Sequence, residues 1–311
     1  MTVTYSENAI YTARGPWAVP WFIYEFWDEM DSCPDEFEPE IWATREIVET
    51  AFREEDLVID VGLAENYFKI EKYFPYDLIP FQRCAFSLWA CVFHADSGQP
   101  RWPDLFIMAA RGFGKDGFIS FSGACLTSPY NPVKNYDVDI CAMNEEQAMR
   151  PVEDFLGVLK SNEAKLKKFW YWTKEVIQGR KNLGKMRGRT NNPKGRDGMR
   201  SGCIVFNEKH AYTNYQNIEV FETGLGKVSH PRTLVTTTDG SVVDGPLDAD
   251  KKTIQKILDK EEPDNGLLPW VFRLNRLEDI HDEKNWRKAN PRLKHAPELL
   301  HEYRKEYRKW K

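Results

Sequence analysis

Leu105, Phe106, Ile107 and Met108 form a short apolar run that leads directly into Ala109-Ala110-Arg111-Gly112-Phe113-Gly114-Lys115-Asp116. A run of that length suits a buried strand, and the two glycines permit the tight turn that follows. When a helix then opens at the lysine, the first backbone N–H groups of the helix and the turn face outward together. With the lysine charge they form a seat for a polyphosphate such as that of a nucleoside triphosphate. This pattern predicts an α/β chain with its chemistry at the end of a strand. Two positions depart from the usual form of such a loop: Ala109 stands where the first glycine is expected, and Asp116 replaces the Ser or Thr whose hydroxyl binds Mg²⁺.

The second half of a triphosphate site is an apolar strand ending in two acidic residues, one for the Mg²⁺ shell and one for the attacking water. Cys203-Ile204-Val205-Phe206-Asn207-Glu208 has that form, with Asn207 where an aspartate is expected. The departures offset each other: the loop gains a carboxylate at Asp116 and the strand loses one at Asn207. We expect Asp116 to approach the metal directly or through water, and Asn207 to offer a neutral oxygen. Two competing readings stay open: one or both departures disable hydrolysis, or Asn207 is an engineered substitution that traps a nucleotide.

The length of 311 residues allows a large core, and the expected organisation is one α/β domain with an accessory subdomain. No apolar stretch reaches membrane-spanning length and no signal peptide is present, which predicts a soluble intracellular protein. The six cysteines form no C-x-x-C pair and read as reduced, buried side chains. The net charge of −5 conceals a strong asymmetry. Residues 1–60 hold 15 acids and 3 bases, whereas 160–200 hold 13 bases and 3 acids. The second stretch includes Arg180, Lys181, Lys185, Arg187, Arg189, Lys194, Arg196 and Arg200, a composition suited to a nucleic-acid backbone or to a solvated hairpin.

Aromatic residues and helical spacing through 40–55 predict a small helical subdomain over 1–74, and a further helix follows Gln82. Strands are expected at 104–110, 137–142, 202–207 and 233–238, with helices at 144–160, 162–174, 249–262 and 297–311. A further strand is expected at Pro269-Trp270. Alternation of this kind gives a mostly parallel sheet with helices on both faces and ligands at the carboxyl ends of its strands. Thr237, Thr238 and Gly240 close one strand, where a hydroxyl-rich turn could sense a phosphate. The last helix spaces Leu299, Leu300, Tyr303, Tyr307 and Trp310 along one face in need of a partner, and it lacks a glycine cap. We therefore expect an amino-terminal part of a longer protein: ATPase core at 75–262, lid and linker at 263–311.

In their order, these motifs resemble the large terminase subunit of tailed bacteriophages, across residues 75–295. The resemblance runs through Leu78-Ile79-Pro80-Phe81-Gln82, Arg111-Gly112-Phe113-Gly114-Lys115, and Ala142-Met143-Asn144-Glu145-Glu146-Gln147-Ala148. It continues through Asp197-Gly198, Val205-Phe206-Asn207-Glu208-Lys209-His210-Ala211, Thr237-Thr238-Asp239-Gly240 and Trp286 with Ala289-Asn290-Pro291. It implies a P-loop NTPase fold of the ASCE/RecA-like type and an ATP- and Mg²⁺-dependent motor for double-stranded DNA in the host cytoplasm. It also implies a portal protein, a small terminase subunit and a homo-oligomeric ring as partners, with a nuclease domain beyond this chain.

Carried over residue by residue, Lys115 neutralises the phosphates, and Arg111, Gly112, Phe113, Gly114, Lys115, Asp116 and Gly117 cradle them. Glu208 orients the water, Asp116 and Asn207 complete the Mg²⁺ shell, Gln82 reads the adenine, and Thr237, Thr238 and Gly240 couple hydrolysis to movement. Arg111 is the arginine expected in cis, and Arg150, Arg196 or Arg200 the one expected in trans. Arg180, Lys181, Lys185, Arg187 and Arg189 are the expected DNA contacts. Two rivals stay open: a helicase-like DNA-stimulated ATPase and a nucleotide-binding scaffold with little turnover.

Overall fold

The computed structural model describes residues 4–190, 200–222, 224–240 and 242–311. Ahead of the phosphate loop lie α1 (Trp21–Ser32), α2 (Pro39–Glu54), α3 (Val61–Phe68) and α4 (Pro80–Cys91). Around them β1 (Ile10–Tyr11), β2 (Leu57–Ile59) and β3 (Val92–His94) pair as a small antiparallel sheet. Phe22, Phe26, Ile41 and Phe52 of these helices are buried in the same apolar cluster as Leu105 and Trp270 of the main sheet. Thr44 Oγ1 reinforces that packing by donating to Pro269 O at 2.6 Å.

The rest of the chain alternates as expected: β4 (Asp104–Met108), α5 (Lys115–Thr127), β5 (Asp137–Cys141), α6 (Glu145–Ser161) and α7 (Glu163–Leu166). Then come β6 (Trp170–Trp172), β7 (Val176–Gly179), β8 (Lys185–Arg189), β9 (Ser201–Asn207), α8 (Gln216–Glu222) and β10 (Arg232–Thr237). The chain continues with α9 (Pro246–Leu258), β11 (Leu267–Val271), α10 (Trp286–Ala289) and α11 (Pro297–Trp310). Among the described residues these strands form an eight-stranded sheet in the order β11-β4-β10-β9-β5-β8-β7-β6. From β11 to β8 every pairing is parallel; β7 and β6 run antiparallel at the edge. The apolar runs in β4 and β9 are buried throughout, because helices cover both faces of a parallel sheet.

The strand order fixes the site. β10 lies between β4 and β9, so the glycine loop after β4 and Glu208 after β9 open toward the same end of the sheet, one strand apart. Among the described residues, no helix is long and apolar enough to cross a membrane. All six cysteines are free, five of them buried.

Three expectations change. The helix expected at 162–174 stops at Leu166, and Trp170–Trp172 forms β6, because aromatic residues suit a pleated edge and Trp170 Nε1 reaches Thr127 Oγ1 at 3.1 Å. The basic stretch is not one solvated hairpin, since its β7 and β8 extend the sheet beside β5. The apolar face of α11 does find a partner within the chain, the phosphate loop itself: Leu299 packs on Gly112, and Tyr303 Oη donates to Arg111 O at 2.6 Å.

Candidate functional site

Gly112 and Gly114 adopt φ of +85° and +88°, the left-handed region where a side chain is strained, so the loop needs glycine at both positions. Gly114 is the N-cap of α5, and Lys115 and Asp116 begin that helix with its N–H groups aimed at the cavity. Gly117 has a different reason to lack a side chain, because the ring of Tyr76 lies where its Cβ would be. Tyr76 is held there by Asp154, and burial together with that carboxylate pushes its phenol far above the usual range.

Lys115, Asp116 and Glu208 converge. Lys115 Nζ lies 2.9 Å from Glu208 Oε1 and 3.3 Å from Asp116 Oδ1. Glu208 is a non-glycine residue at φ +54°, a strained conformation that turns its side chain off the end of β9 and back over the loop. Its other oxygen, Oε2, is buried without a hydrogen bond and faces His210 Nδ1 at 3.3 Å. A cavity of about 450 Å³ is bounded by residues 111–117, Gln147, Glu208, His210, Thr238 and Arg292.

Asn207 corrects an expectation. Its Nδ2 donates to Gln147 O at 3.1 Å and lies 3.4 Å from Asp116 Oδ1, while its Oδ1 accepts from Thr236 Oγ1 at 3.1 Å. A backbone carbonyl can only accept, so the amide must turn its nitrogen toward Gln147 and the cleft. Asn207 therefore steadies Asp116 and does not offer an oxygen to a metal. Asp116 is the carboxylate left facing the phosphate seat beside Lys115. No group of three or more His, Cys, Asp or Glu suited to holding a metal occurs among the described residues. A lone carboxylate fits Mg²⁺ that arrives with a polyphosphate, since this ion keeps most of its shell from phosphate and water.

Gln82 is also corrected. It is buried, its Oε1 accepts from Ile79 N at 3.1 Å at the start of its own helix, and its Nε2 donates to Phe113 O of the loop at 3.1 Å, so both ends of the amide are engaged within the chain instead of facing a base. Thr237 and Thr238 meet the end of β9 through His210: the His210 N–H donates to Thr237 Oγ1 at 3.0 Å, and Nδ1 lies 3.4 Å from Thr238 Oγ1. Gly240 packs against the same histidine, where a Cβ would come within 2.6 Å of His210 Cβ.

The arginines divide. Arg111 stands at the border between the cavity and an aromatic groove. From there it helps Lys309, the larger cause, to hold the Glu306 carboxyl below its usual range. Arg150 is exposed on α6 and paired with Glu146 at 2.6 Å, with a weaker pull from Asp116 and Glu208. Arg200 precedes β9, so the length of that strand, roughly 20 Å, separates it from Glu208. Arg196, together with Lys194, Asp197 and Gly198, lies outside the described residues.

Two of the expected DNA contacts are committed elsewhere. Arg187 reaches Asp137 Oδ2 at 2.7 Å and Asp139 Oδ1 at 2.8 Å, and Arg189 reaches Asp139 at 2.9 Å. Asp139 is fully buried and also accepts from Ser201 Oγ at 2.6 Å. Burial raises its pKa, but Arg187, Ser201 and Arg189 outweigh that and hold the carboxyl below its ordinary range. Arg180 donates to Lys167 O and Trp170 O but stays exposed, as does Lys181, and Lys185 is half-buried. Sequence reasoning assigns no role to Gln147, His210 or Arg292. Only His210 carried a local signal, two residues after Glu208, and Arg292 had none because its position depends on a return of the chain from far downstream.

No family model matches the chain, and no curated protein matches it. Among solved structures, the large terminase of bacteriophage HK97 superposes with a TM-score of 0.64 at 20% identity, covering 79% of this chain and 52% of that one. The likeness shows a shared fold, with this chain spanning about half the length of that protein. A mutant of the large terminase ATPase domain of Thermus phage P74-26 aligns at 12% identity over 58% of this chain and 71% of its own, with a TM-score of 0.35.

Proposed function

We propose that the cleft at the carboxyl ends of β4, β9 and β10 binds and hydrolyses ATP with Mg²⁺. The chain is then the ATPase part of a large terminase, a motor that drives double-stranded DNA into a procapsid with a portal protein and a small subunit, as a ring. The observation that carries the reading is the 2.9 Å contact between Lys115 and Glu208 across a glycine loop at a helix N-terminus. The sequence motifs in their order, and the fold shared with the HK97 protein, support the motor assignment over a generic ATPase.

The residues then divide the work. The backbone N–H groups of 112–117 and the N-terminus of α5 hold the β- and γ-phosphates. Lys115, paired with Glu208 and Asp116 in the free protein, moves its charge onto them and releases Glu208 to orient the water. Asp116, steadied by Asn207, is the residue that would hold Mg²⁺. When bound, that ion neutralises phosphate charge as a Lewis acid. His210 connects Glu208 to Thr237 and Thr238, giving the end of β10 a route by which loss of the γ-phosphate could be felt. The base finds room in a neighbouring cavity of about 490 Å³ with Tyr76, Ile79 and Pro80 on its wall.

Mg²⁺-dependent phosphate release, measured with and without double-stranded DNA, tests the proposal. DNA-stimulated turnover is expected, with Glu208→Gln lowering it about a hundredfold or more while nucleotide binding persists. Nucleotide binding without turnover would leave a scaffold, and strand separation would point to a helicase.

A further inference from the structure

Arg292 is the one residue common to the linings of the phosphate cavity and of its neighbour. It arrives on a 3₁₀ turn, Pro291–Lys294, whose Pro291 and Leu293 are buried. Asn290 fixes the entry to that turn. Fully buried, it accepts from Arg292 N at 3.1 Å through Oδ1 and donates through Nδ2 to Arg111 O at 3.1 Å. The guanidinium is thereby held over the loop, with Nη1 donating to Gly112 O at 3.0 Å and standing 3.7 Å from the place of a Gly114 Cβ.

Its charge has no acid to answer it. Among the described residues no carboxylate comes within 4.0 Å of Arg292, whereas Arg83, in the same neighbouring cavity, is paired with Glu71 at 2.8 Å and Glu25 at 3.3 Å. One neutral carbonyl occupies one of its N–H groups, and the others face open space between the cavities. A fixed, half-buried guanidinium with most of its donors unused suits an oxyanion that enters later.

The geometry points to Arg292 as a nucleotide contact supplied in cis, donating to the α- and β-phosphates, the part of the chain shared by ATP and ADP. This rests on the ATP reading. A nucleotide with its γ-phosphate between Lys115 and Glu208 and its base in the neighbouring cavity runs through the seam, so Arg292 meets the middle of the molecule and not its reacting end. It also means that the segment leading to α11 touches both the loop and what the loop holds.

Equilibrium titration of the full chain with ATP, ADP and adenosine tests this, in wild type, Arg292→Ala, Arg292→Gln, Arg292→Lys and Lys115→Ala. Arg292→Ala is expected to weaken ATP and ADP alike, by about tenfold, with adenosine unchanged. Arg292→Gln keeps an N–H donor for Gly112 but no charge, and is expected to be as weak as the alanine variant; lysine recovers part of the loss. Wild-type affinity in Arg292→Gln would reduce Arg292 to a brace for the loop and overturn the proposal. So would a loss confined to ATP, which would place the contact at the γ-phosphate. A wild type that binds no nucleotide, or Lys115→Ala that binds as the wild type does, would instead remove the ATP reading and this inference with it.

Discussion

The carboxyl-end cleft and the charged network across β9, β5 and β8 are built from the same kinds of residue and differ in how completely the charges are answered. On β5, inside the sheet, Asp139 is fully buried and meets Arg187 and Arg189 of β8 and Ser201 of β9, so each charge has a partner. In the cleft, Glu208 Oε2 and Gln147 Oε1 are buried without hydrogen bonds, Arg292 has no acid among the described residues, and about 450 Å³ stands open among them. A closed network of opposite charges holds structure, whereas an open one next to a cavity is prepared for something that binds. Both regions read as charged in sequence; only the partner count separates them.

Removing the acid of the closed network should have the largest effect. Asp139→Asn leaves two guanidinium groups short of their counter-charge, and is expected to cost about 3–5 kcal/mol in denaturant unfolding. Unchanged stability would mean that this network is not the closed structure described.

In the open cleft a swap of similar size should cost less. Asn207→Asp removes the donor that steadies Asp116 and sets two carboxylates together, for an expected loss of about 1–3 kcal/mol without Mg²⁺. No gain in ATPase rate is expected, because Asp116 already supplies the anionic group. A large gain would restore the conventional arrangement and break this account of the cleft.

The smallest effect sharpens the contrast within the basic stretch. Lys181→Ala, at an exposed position, should lower the salt slope of double-stranded DNA binding by about 1 without altering unfolding. Arg187→Ala should do the reverse, lowering stability with the slope kept. Equal slopes in both variants and wild type would remove 180–189 from the DNA surface.

Much of the fold was legible because its signals are local. The apolar runs of β4, β5, β9 and β10 are short, bounded and uniformly buried, and each forms a strand within one or two residues of its expected limits. The 162–174 segment failed because its four consecutive aromatic residues, Phe169 to Trp172, suit a strand, and the choice was made by β7 lying alongside. In the site, Lys115, Asp116 and Glu208 could be found because each ends or begins a recognisable element. The orientation of Asn207 could not, since it is set by Gln147 O and Thr236 Oγ1, which belong to two other elements.

Local sequence sets where the chain turns and what it could hold there: glycine at two positions that require positive φ, a lysine at a helix start, and a glutamate after a buried strand. Tertiary structure alone decided which charges stay available. Arg187 and Arg189 are consumed by carboxylates on β5, and Arg292 is carried from the far end of the chain to the seam of the cleft. The reason is physical: propensity and burial act over a few residues, but the electrostatic state of a side chain depends on whatever the fold sets within about 4 Å of it.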